Sequence, residues 1–255
     1  MMICYNNACT RWKEREDMHR FFAERQDENT AMLLQEEENH ALRVLRLNVG
    51  DECQALMEGQ VFAAVIREVS PRVLLTLKQM LPSPEPSVAI TLYQGVPKGE
   101  KMDFVTQKCT EAGVCRIVPV EFSRCVARWE GKDAVKKQAR YQRIAAEAAK
   151  QSGRAVTPEV SLPLSFGKLC QEISQHDLVL VPWEEEHGNG IGTKWQGEKD
   201  VAVIIGPEGG IAPEEIERLQ EAGAKPVTLG PRIFRTETAG LAAIISLLTI
   251  SGDME

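Results

Sequence analysis

Short apolar runs separated by turn-forming residues mark the first third of the chain. Residues 52–57, 61–69 and 73–77 are rich in Val, Ile and Leu, with turns indicated near Gly59 and Pro71. This pattern is typical of β-strands joined as hairpins, and it predicts a small β-barrel. A helical pattern over residues 40–47 interrupts the strands and places Arg43 and Arg46 on one face of a short helix.

Prolines at positions 82, 84 and 86 mark the end of this barrel region. Alternating prolines favour a stiff, extended connector over a helix or the interior of a sheet. We therefore expect a domain boundary within residues 79–87. One predicted domain covers residues 18–80 and the other covers residues 88–255.

Beyond the connector, apolar runs of strand length alternate with amphipathic runs of helix length. The predicted strands cover residues 88–93, 116–120, 178–181, 201–205 and 227–229. The predicted helices cover residues 100–112, 133–152 and 236–250, and a further helix opens at Pro213. Strands alternating with helices indicate an α/β fold with a mainly parallel sheet covered on both faces.

Two loops after predicted strands carry the residues most suited to bind a ligand. Residues 204–211 (IIGPEGGI) hold three glycines in five positions, and residues 229–240 (LGPRIFRTETAG) follow the next strand. Ligands bind where loops leave the carboxyl ends of parallel strands, and glycines allow the backbone to approach them closely.

Two other interpretations of these loops compete with a ligand site. A dinucleotide site would require G-x-G-x-x-G at the first strand-to-helix turn, and GPEGG has neither that spacing nor that position. A purely structural turn stays open for GPEGG alone, although two Gly-Pro loops after consecutive strands make it less attractive.

Charge is distributed unevenly along the 255 residues. The net charge is −7, yet residues 98–154 carry 13 Lys or Arg against 7 Asp or Glu, while the rest carries 17 against 30. A basic section in an acidic protein could hold an RNA backbone. A solvated helix surface explains the same charges equally well.

Cysteine usage and the apolar runs narrow the class of protein. The seven cysteines are odd in number and include no C-x-x-C pair, and the four histidines lie far apart. We therefore expect reduced thiols, no disulfide framework and no metal site. The N-terminus lacks the apolar core of a signal peptide, and the run 241–250 is too short to span a membrane. These features predict a cytoplasmic protein without a membrane anchor.

Four separated strings give a resemblance to a known family. They are IGPEGG, LGPRIFRTETA, KGEKMDFVTQKCTEAGV (98–114) and RYQRIAAEAAKQSGR (140–154). Together they resemble the bacterial 16S ribosomal RNA uracil-N3 methyltransferases, the RsmE family of the SPOUT superfamily. The similarity runs from about residue 18 to about residue 250.

The resemblance implies a fold, a cofactor and an assembly. It implies a PUA-like β-barrel that helps to hold RNA, followed by an α/β methyltransferase domain with a deep trefoil knot. It implies a homodimer with each active site near the subunit interface. It also implies that three loops hold S-adenosyl-L-methionine, through Val181, Pro182, Ile205, Gly206, Pro207, Glu208, Gly209, Gly210, Leu229, Gly230, Pro231 and Ile233.

The implied reaction is methylation at N3 of a specific uridine in 16S ribosomal RNA of the small subunit. The N3 proton must leave, so arginines that stabilise the uracil anion and a carboxylate that accepts the proton are expected. The candidates are Arg124, Arg232, Arg235 and Glu237. Arg235 and Glu237 could equally form an ion pair or a helix cap, and Arg124 could contact a phosphate.

The basic section and two arginines of the predicted barrel then supply the expected RNA contacts. They are Arg43, Arg46, Lys98, Lys101, Arg128, Lys136, Lys137, Arg140 and Arg143. Two alternatives stay open: an RNA-binding module without catalysis, and a SPOUT methyltransferase that acts on another RNA.

Two departures from the family pattern stand out. The family usually begins near MHRFF, which is residues 18–22 here, so residues 1–17 are expected to be a disordered extension. Cys125 stands where the family's Arg-Ser pattern has serine, which weakens the role implied for Arg124.

Overall fold

The structure, a computed structural model, describes residues 18–255. The expectation for residues 1–17 lies outside this part of the chain. The described chain forms two units, of which the first ends at Glu85 and the second begins at Pro86. This division falls within the stretch marked by the alternating prolines. No helix between residues 18 and 255 combines the length and the apolar character that a membrane crossing requires.

The first unit is a closed five-stranded barrel. Its strands are β1 (Arg20–Arg25), β2 (Thr30–Leu33), β3 (Glu52–Met57), β4 (Gln60–Glu68) and β5 (Leu74–Leu81). They are ordered β1-β2-β5-β4-β3, and the parallel pairing of β1 with β3 closes the barrel. The three strands predicted from the apolar runs are confirmed. Strands β1 and β2 were missed because they lack the runs of Val, Ile and Leu by which the other three were predicted.

Alternating side chains fill the barrel because successive residues of a strand point to opposite faces of the sheet. Phe21 and Ala23 of β1 and Ala31 and Leu33 of β2 are all buried in this way. The buried apolar cluster continues through β3, β4 and β5. Burial of this interior is the main source of stability for the small unit.

The helical segment of the barrel begins and ends earlier than the prediction for residues 40–47. Helix α1 (Gln35–Asn39) continues into a π-helical turn over His40–Val44. Arg46 lies beyond that turn with φ of 56°, a left-handed conformation that ends a helix. Arg43 and Arg46 are both exposed, but they do not share a helix face, so that prediction was wrong.

The second unit is an α/β structure with a parallel sheet. Its strands are β6 (Ala89–Gly95), β7 (Arg116–Glu121), β8 (Glu159–Val160), β9 (Leu164–Ser165), β10 (Leu178–Pro182), β11 (Asp200–Ile205) and β12 (Lys225–Val227). The order is β12-β10-β11-β6-β7-β8, with β9 paired to β7, and all pairings are parallel. The α/β prediction with a parallel sheet is confirmed.

Helices connect these strands. They are α2 (Lys101–Ala112), α3 (Gly131–Gln151), α4 (Phe166–Glu172), α5 (Ile191–Lys194), α6 (Pro213–Glu221) and α7 (Thr236–Ser251), with a 3₁₀ turn over Ile173–Gln175. Gly113 ends α2 with φ of 110°, a left-handed cap for which glycine is the favoured residue. Pro213 is the first residue of α6, with Glu214 and Glu215 in its first turn.

Two parts of the second unit differ from the predicted elements. The strand predicted at 227–229 is β12 over Lys225–Val227, followed by an isolated β-bridge between Thr228 and Gly190 and by a hydrogen bond from Gly230 N–H to Thr228 Oγ1. Strands β8 and β9 and helix α4 were not predicted. The two strands have only two residues each, which is too short for a periodic pattern.

The order of the strands brings the ligand-type loops to one edge of the sheet. Because all strands are parallel, β6, β10 and β11 end together, at Gly95, Pro182 and Ile205. Helix α7 packs against β6 and β11 and starts at this same edge. The edge where ligands bind in open parallel sheets is therefore formed by residues from distant parts of the chain.

Candidate active site

Two adjoining cavities open at the carboxyl edge of the sheet. The larger has a volume of about 490 Å³, which is within the range of small-molecule sites. Its lining is Lys101, Pro182, Glu184, Ile205, Gly206, Pro207, Glu208, Gly209, Gly210, Ile211, Ile233, Phe234, Arg235, Thr236 and Ala239. The smaller has about 270 Å³ and is lined by Pro182, Trp183, Glu184, His187, Thr228, Leu229, Gly230, Pro231, Arg232, Ile233, Phe234 and Ala239.

The cavities bring together all the expected cofactor residues except Val181. Val181 is completely buried within β10, where it pairs with Pro226 of β12. Its side chain therefore supports the sheet, and the lining of the cavities begins one residue later, at Pro182. The three stretches named from the sequence thus converge in space.

The loop after β11 presents backbone to the larger cavity. A methyl group added at Gly206 would lie 2.7 Å from Ile211 Cγ1. Gly210 has φ of 71°, and a methyl group there would lie 3.1 Å from Glu184 Oε1. A hydrogen bond of 2.9 Å from Gly210 N–H to Pro207 O closes the turn. A larger residue does not fit at Gly206, so this wall is a cradle made of main chain.

Arg124 lies in the loop after β7 and reaches the glycine loop. Its guanidinium donates a hydrogen bond of 3.1 Å to Gly209 O. The loop is anchored by the buried Glu215, whose carboxylate accepts from Ser123 N–H at 2.8 Å and from Ala212 N–H at 3.1 Å. Arg124 is thus held beside the cavity without being part of its lining.

Cys125, where serine was expected, has hydrogen-bond partners separate from that of Arg124. The thiol is buried and accepts a hydrogen bond of 3.3 Å from Phe122 N–H, which closes the local turn. Burial raises the pKa of the Cys125 thiol. Cysteine at position 125 therefore affects the turn at Phe122, and the Arg124 guanidinium keeps its hydrogen bond to Gly209 O.

Lys101 lies in the wall of the larger cavity between two carboxylates. Its ammonium is 2.9 Å from Glu208 Oε1 and 3.4 Å from Glu237 Oε2. The hydrogen bond to Glu208 raises the pKa of Lys101. Burial disfavours the Glu208 carboxylate, but hydrogen bonds from Lys101 and from Lys98 N–H outweigh it and lower the pKa of Glu208. Glu237 does not line either cavity, but its carboxylate contacts Lys101, which does.

The remaining candidate arginines lie on the loop before α7. Arg232 lines the smaller cavity and Arg235 the larger, and both are exposed. Between them Ile233 is 87% exposed. Arg235 caps α7 with its carbonyl, which accepts from Thr238 N–H and Ala239 N–H, while its guanidinium is not paired with Glu237 in the described chain.

The residues expected to contact RNA fall into two groups. Arg43, Arg46, Lys98, Arg128, Lys136 and Arg143 are exposed. Lys101, Lys137 and Arg140 instead have carboxylate partners within the chain, and those of the last two are Asp133 and Asp103. Ion pairs at the surface are weak, so the pairs of Lys137 and Arg140 can exchange for a phosphate at small cost.

Several lining residues were missed from the sequence. Glu184, Phe234, Thr236 and Ala239 line the larger cavity, but no periodicity marks them. Thr236 stands within the RTETA string, which was the available signal. Within residues 18–255, no three His, Cys, Asp or Glu side chains lie close enough together to hold a metal ion.

Comparison with known proteins agrees with this geometry. The profile of the RNA methyltransferase domain family matches residues 83–248. The chain is 32% identical to the ribosomal RNA small subunit methyltransferase E of Bacillus subtilis (strain 168), over 90% of this chain and 96% of the relative. It is 33% identical to that of Aquifex aeolicus, over 91% and 99%.

A solved structure extends the comparison to a bound ligand. The ribosomal RNA small subunit methyltransferase E of Neisseria gonorrhoeae, bound to S-adenosyl methionine, superposes with a TM-score of 0.77 at 30% identity. The superposition covers 91% of this chain and 98% of the other. The likeness therefore extends through both units of the described chain.

Proposed function

This chain belongs to the ribosomal RNA small subunit methyltransferase E family, and from that premise we propose that it methylates N3 of a uridine in 16S ribosomal RNA. The methyl donor in this proposal is S-adenosyl-L-methionine. The observation that carries the proposal is the glycine cradle at the carboxyl edge of the sheet. A cytoplasmic location follows from such a substrate.

The residues of the two cavities fit this cofactor. Main chain at Gly206 and Gly210 can approach an adenosine or amino-acid group closely, because neither residue carries a side chain of its own. The Glu184 carboxylate in the lining suits a ligand that carries positive charge, whereas Glu208 is paired with Lys101. When bound, S-adenosyl-L-methionine supplies a methyl group on a positively charged sulfur.

Charged residues around the cavities are assigned to the acceptor base. Arg124, fixed to Gly209 O, and Arg232 would stabilise the negative charge that develops when uracil N3 loses its proton. Glu237 is the proposed proton acceptor, and Lys101 holds its carboxylate at the edge of the larger cavity. Arg235 provides further positive charge in the lining.

The remaining RNA contacts are assigned to the basic surfaces. We assign residues 18–80 as a PUA-like barrel that contributes Arg43 and Arg46, and residues 88–255 as the methyltransferase domain. The phosphate contacts proposed there are Lys98, Arg128, Lys136, Lys137, Arg140 and Arg143. These cations would bind the RNA backbone and leave the choice of nucleotide to the site itself.

Two further family features belong to the proposal. The chain from β12 into α7 would be threaded as the trefoil knot, and two copies would form a homodimer. The exposed Ile245 and Ile250 on α7 support the dimer, because a second copy could cover them. Light scattering after size-exclusion chromatography would test this, and the mass of a single chain would refute it.

A methyl-transfer assay tests the proposed reaction. Purified protein is mixed with tritiated S-adenosyl-L-methionine and small ribosomal subunits from a strain that lacks the activity, and the labelled nucleoside is identified by mass spectrometry. The expected product is 3-methyluridine in 16S RNA. Label in another RNA would support a different substrate for the same chemistry. Binding of RNA without cofactor binding would support the non-catalytic module.

Variants of two arginines test the proposed roles in the same assay. Arg124→Ala and Arg232→Ala should each lower kcat about 100-fold while the protein stays folded, the usual effect of removing one group that stabilises an anion. Arg67→Ala is the matched control, because Arg67 is an exposed arginine paired with the neighbouring Glu68. Wild-type turnover in either site variant would remove that residue from the mechanism.

A further inference from the structure

A relay of hydrogen bonds links the centre of the sheet to the glycine loop. Gln94, near the end of β6, is completely buried, and its Nε2 donates to Thr236 Oγ1 at 2.9 Å. The Thr236 hydroxyl in turn donates to Gly206 O at 2.6 Å. Gly206 is the first residue of the loop that lines the larger cavity.

The available donors and acceptors determine the direction of these hydrogen bonds. The carbonyl of Gly206 can only accept, so the Thr236 hydroxyl commits its proton to that bond. The atom that faces Thr236 must then be a donor, which is the Nε2 of Gln94 and not its Oε1. The Oε1 is buried without a hydrogen-bond partner in the described structure. Burial of an unpaired amide oxygen is costly, and the two hydrogen bonds that Nε2 donates, to Thr236 Oγ1 and to Gly95 O at 3.2 Å, offset part of that cost.

Strand β6 also lies very close to the Gly206–Pro207 peptide, at Gly95. A methyl group added at Gly95 would lie 2.5 Å from Pro207 N and 2.8 Å from Gly206 C. The Gly206–Pro207 peptide has no N–H of its own, because Pro207 lacks one. Its carbonyl is therefore the polar group through which this peptide can be oriented, and Thr236 holds that carbonyl.

We propose that Thr236 is a positioning residue, whose hydroxyl, oriented by Gln94, sets the Gly206–Pro207 peptide in the conformation that receives the cofactor. This inference rests on the proposed function, since it concerns the same cavity. Thr236 also begins α7 and directly follows the loop that contains Arg232 and Arg235. One hydroxyl thus joins the two loops that form the cavity walls.

The positioning role predicts a loss of cofactor affinity when the Thr236 hydroxyl is removed. Thr236→Val keeps the shape of the side chain but removes the donor to Gly206 O. The Kd for S-adenosyl-L-methionine should rise about tenfold, which corresponds to about 1.4 kcal/mol. Thr236→Ser keeps the hydroxyl and should bind within about twofold of wild type. The KM for the cofactor should rise more than kcat falls, because the relay acts on binding geometry.

Thr106 provides a matched control in the same unit. It is a buried threonine of α2 whose hydroxyl has no hydrogen-bond partner in the described structure. Thr106→Val makes the same chemical change without breaking a bond, so its cofactor Kd should equal that of wild type. Should Thr236→Val not fold, Gln94→Met removes the amide that donates to Thr236 Oγ1 and, more weakly, to Gly95 O. It should raise the Kd about threefold or more.

The measurement is isothermal titration calorimetry of S-adenosyl-L-methionine into the full-length protein, with thermal unfolding of each variant as the check on folding. Weakened binding in Thr236→Val, rescued in Thr236→Ser and absent in Thr106→Val, supports the positioning role. Equal binding by wild type and Thr236→Val, or no rescue by Thr236→Ser, overturns it alone. Failure of the wild-type protein to bind overturns the proposed function, and the positioning role with it.

Discussion

Replacing Gly95 with alanine should damage the junction between β6 and the glycine loop. The added methyl group would lie 2.5 Å from Pro207 N, 2.8 Å from Gly206 C and 2.8 Å from Pro207 Cδ. Carbon atoms in contact normally stay about 3.5–4.0 Å apart, so one side must move by about 1 Å. Neither side yields easily, because the neighbouring atoms belong to backbone and a proline ring, and β6 is paired with β7 and β11.

The size of the effect follows from this overlap. Overpacking of a close-packed interior costs about 1–3 kcal/mol, and a rigid neighbour places the value toward the upper end. Gly167→Ala is the control, since a methyl group at Gly167 in α4 would meet nothing within 4 Å. That change should leave stability unchanged or raise it by about 0.5–1 kcal/mol, because alanine favours helix.

Urea unfolding of both variants and wild type gives the comparison, with equal slopes indicating the same unfolding reaction. Gly95→Ala should also weaken binding of S-adenosyl-L-methionine, because the displaced peptide forms the cavity wall. A Gly95→Ala protein as stable as wild type, with the same cofactor Kd, would refute the close approach of the strand to the loop.

Three further expectations concern charge and burial. The pKa of Glu208 is lower in the folded protein than its ordinary value of 4.5. The carboxylate therefore stabilises the fold above pH 4.5, and this stabilisation is lost as the pH falls below that value. The difference in unfolding free energy between wild type and Glu208→Gln should shrink on acidification. Binding to small ribosomal subunits should weaken with added salt, and Lys136→Ala should lower the slope of log K against log salt concentration by about one. Lys137→Ala should change this slope less, because the Lys137 ammonium is already paired with Asp133. An affinity that does not depend on salt would contradict the RNA assignment. Burial raises the pKa of the Cys53 and Cys109 thiols to about 12. Neither thiol should therefore react with iodoacetamide until the protein unfolds. Labelling of either cysteine in the native protein would contradict their buried positions.

The prediction for Lys101 illustrates what the sequence leaves open. Its place in a basic section favoured a phosphate contact, and no local pattern indicates a different partner. The structure places it between Glu208 and Glu237, which are far away along the chain. Pairing of this kind depends on which strands are neighbours, and strand order is not encoded in any short segment of sequence.

Elements with a clear periodicity were determined by the sequence itself. The strands around residues 116–121 and 200–205, the helix that Gly113 ends and the helix that Pro213 opens all follow from side-chain size and backbone freedom over a few residues. The glycines of IGPEGG likewise mark a loop where the main chain must lie close to something else. These features need no knowledge of distant residues.

The tertiary structure alone decided what the glycine loop is held by. It inserted β6 between β11 and β7, so that Gly95 meets Gly206 and Pro207 at the carboxyl edge of the sheet and Gln94 reaches Thr236. It also brought Thr236 to the Gly206 carbonyl, which turned a motif residue without a visible role into part of the cavity. The physical reason is range: hydrophobic period and turn chemistry act over a few neighbouring residues, whereas a binding site is assembled by strand pairing and packing across the whole chain.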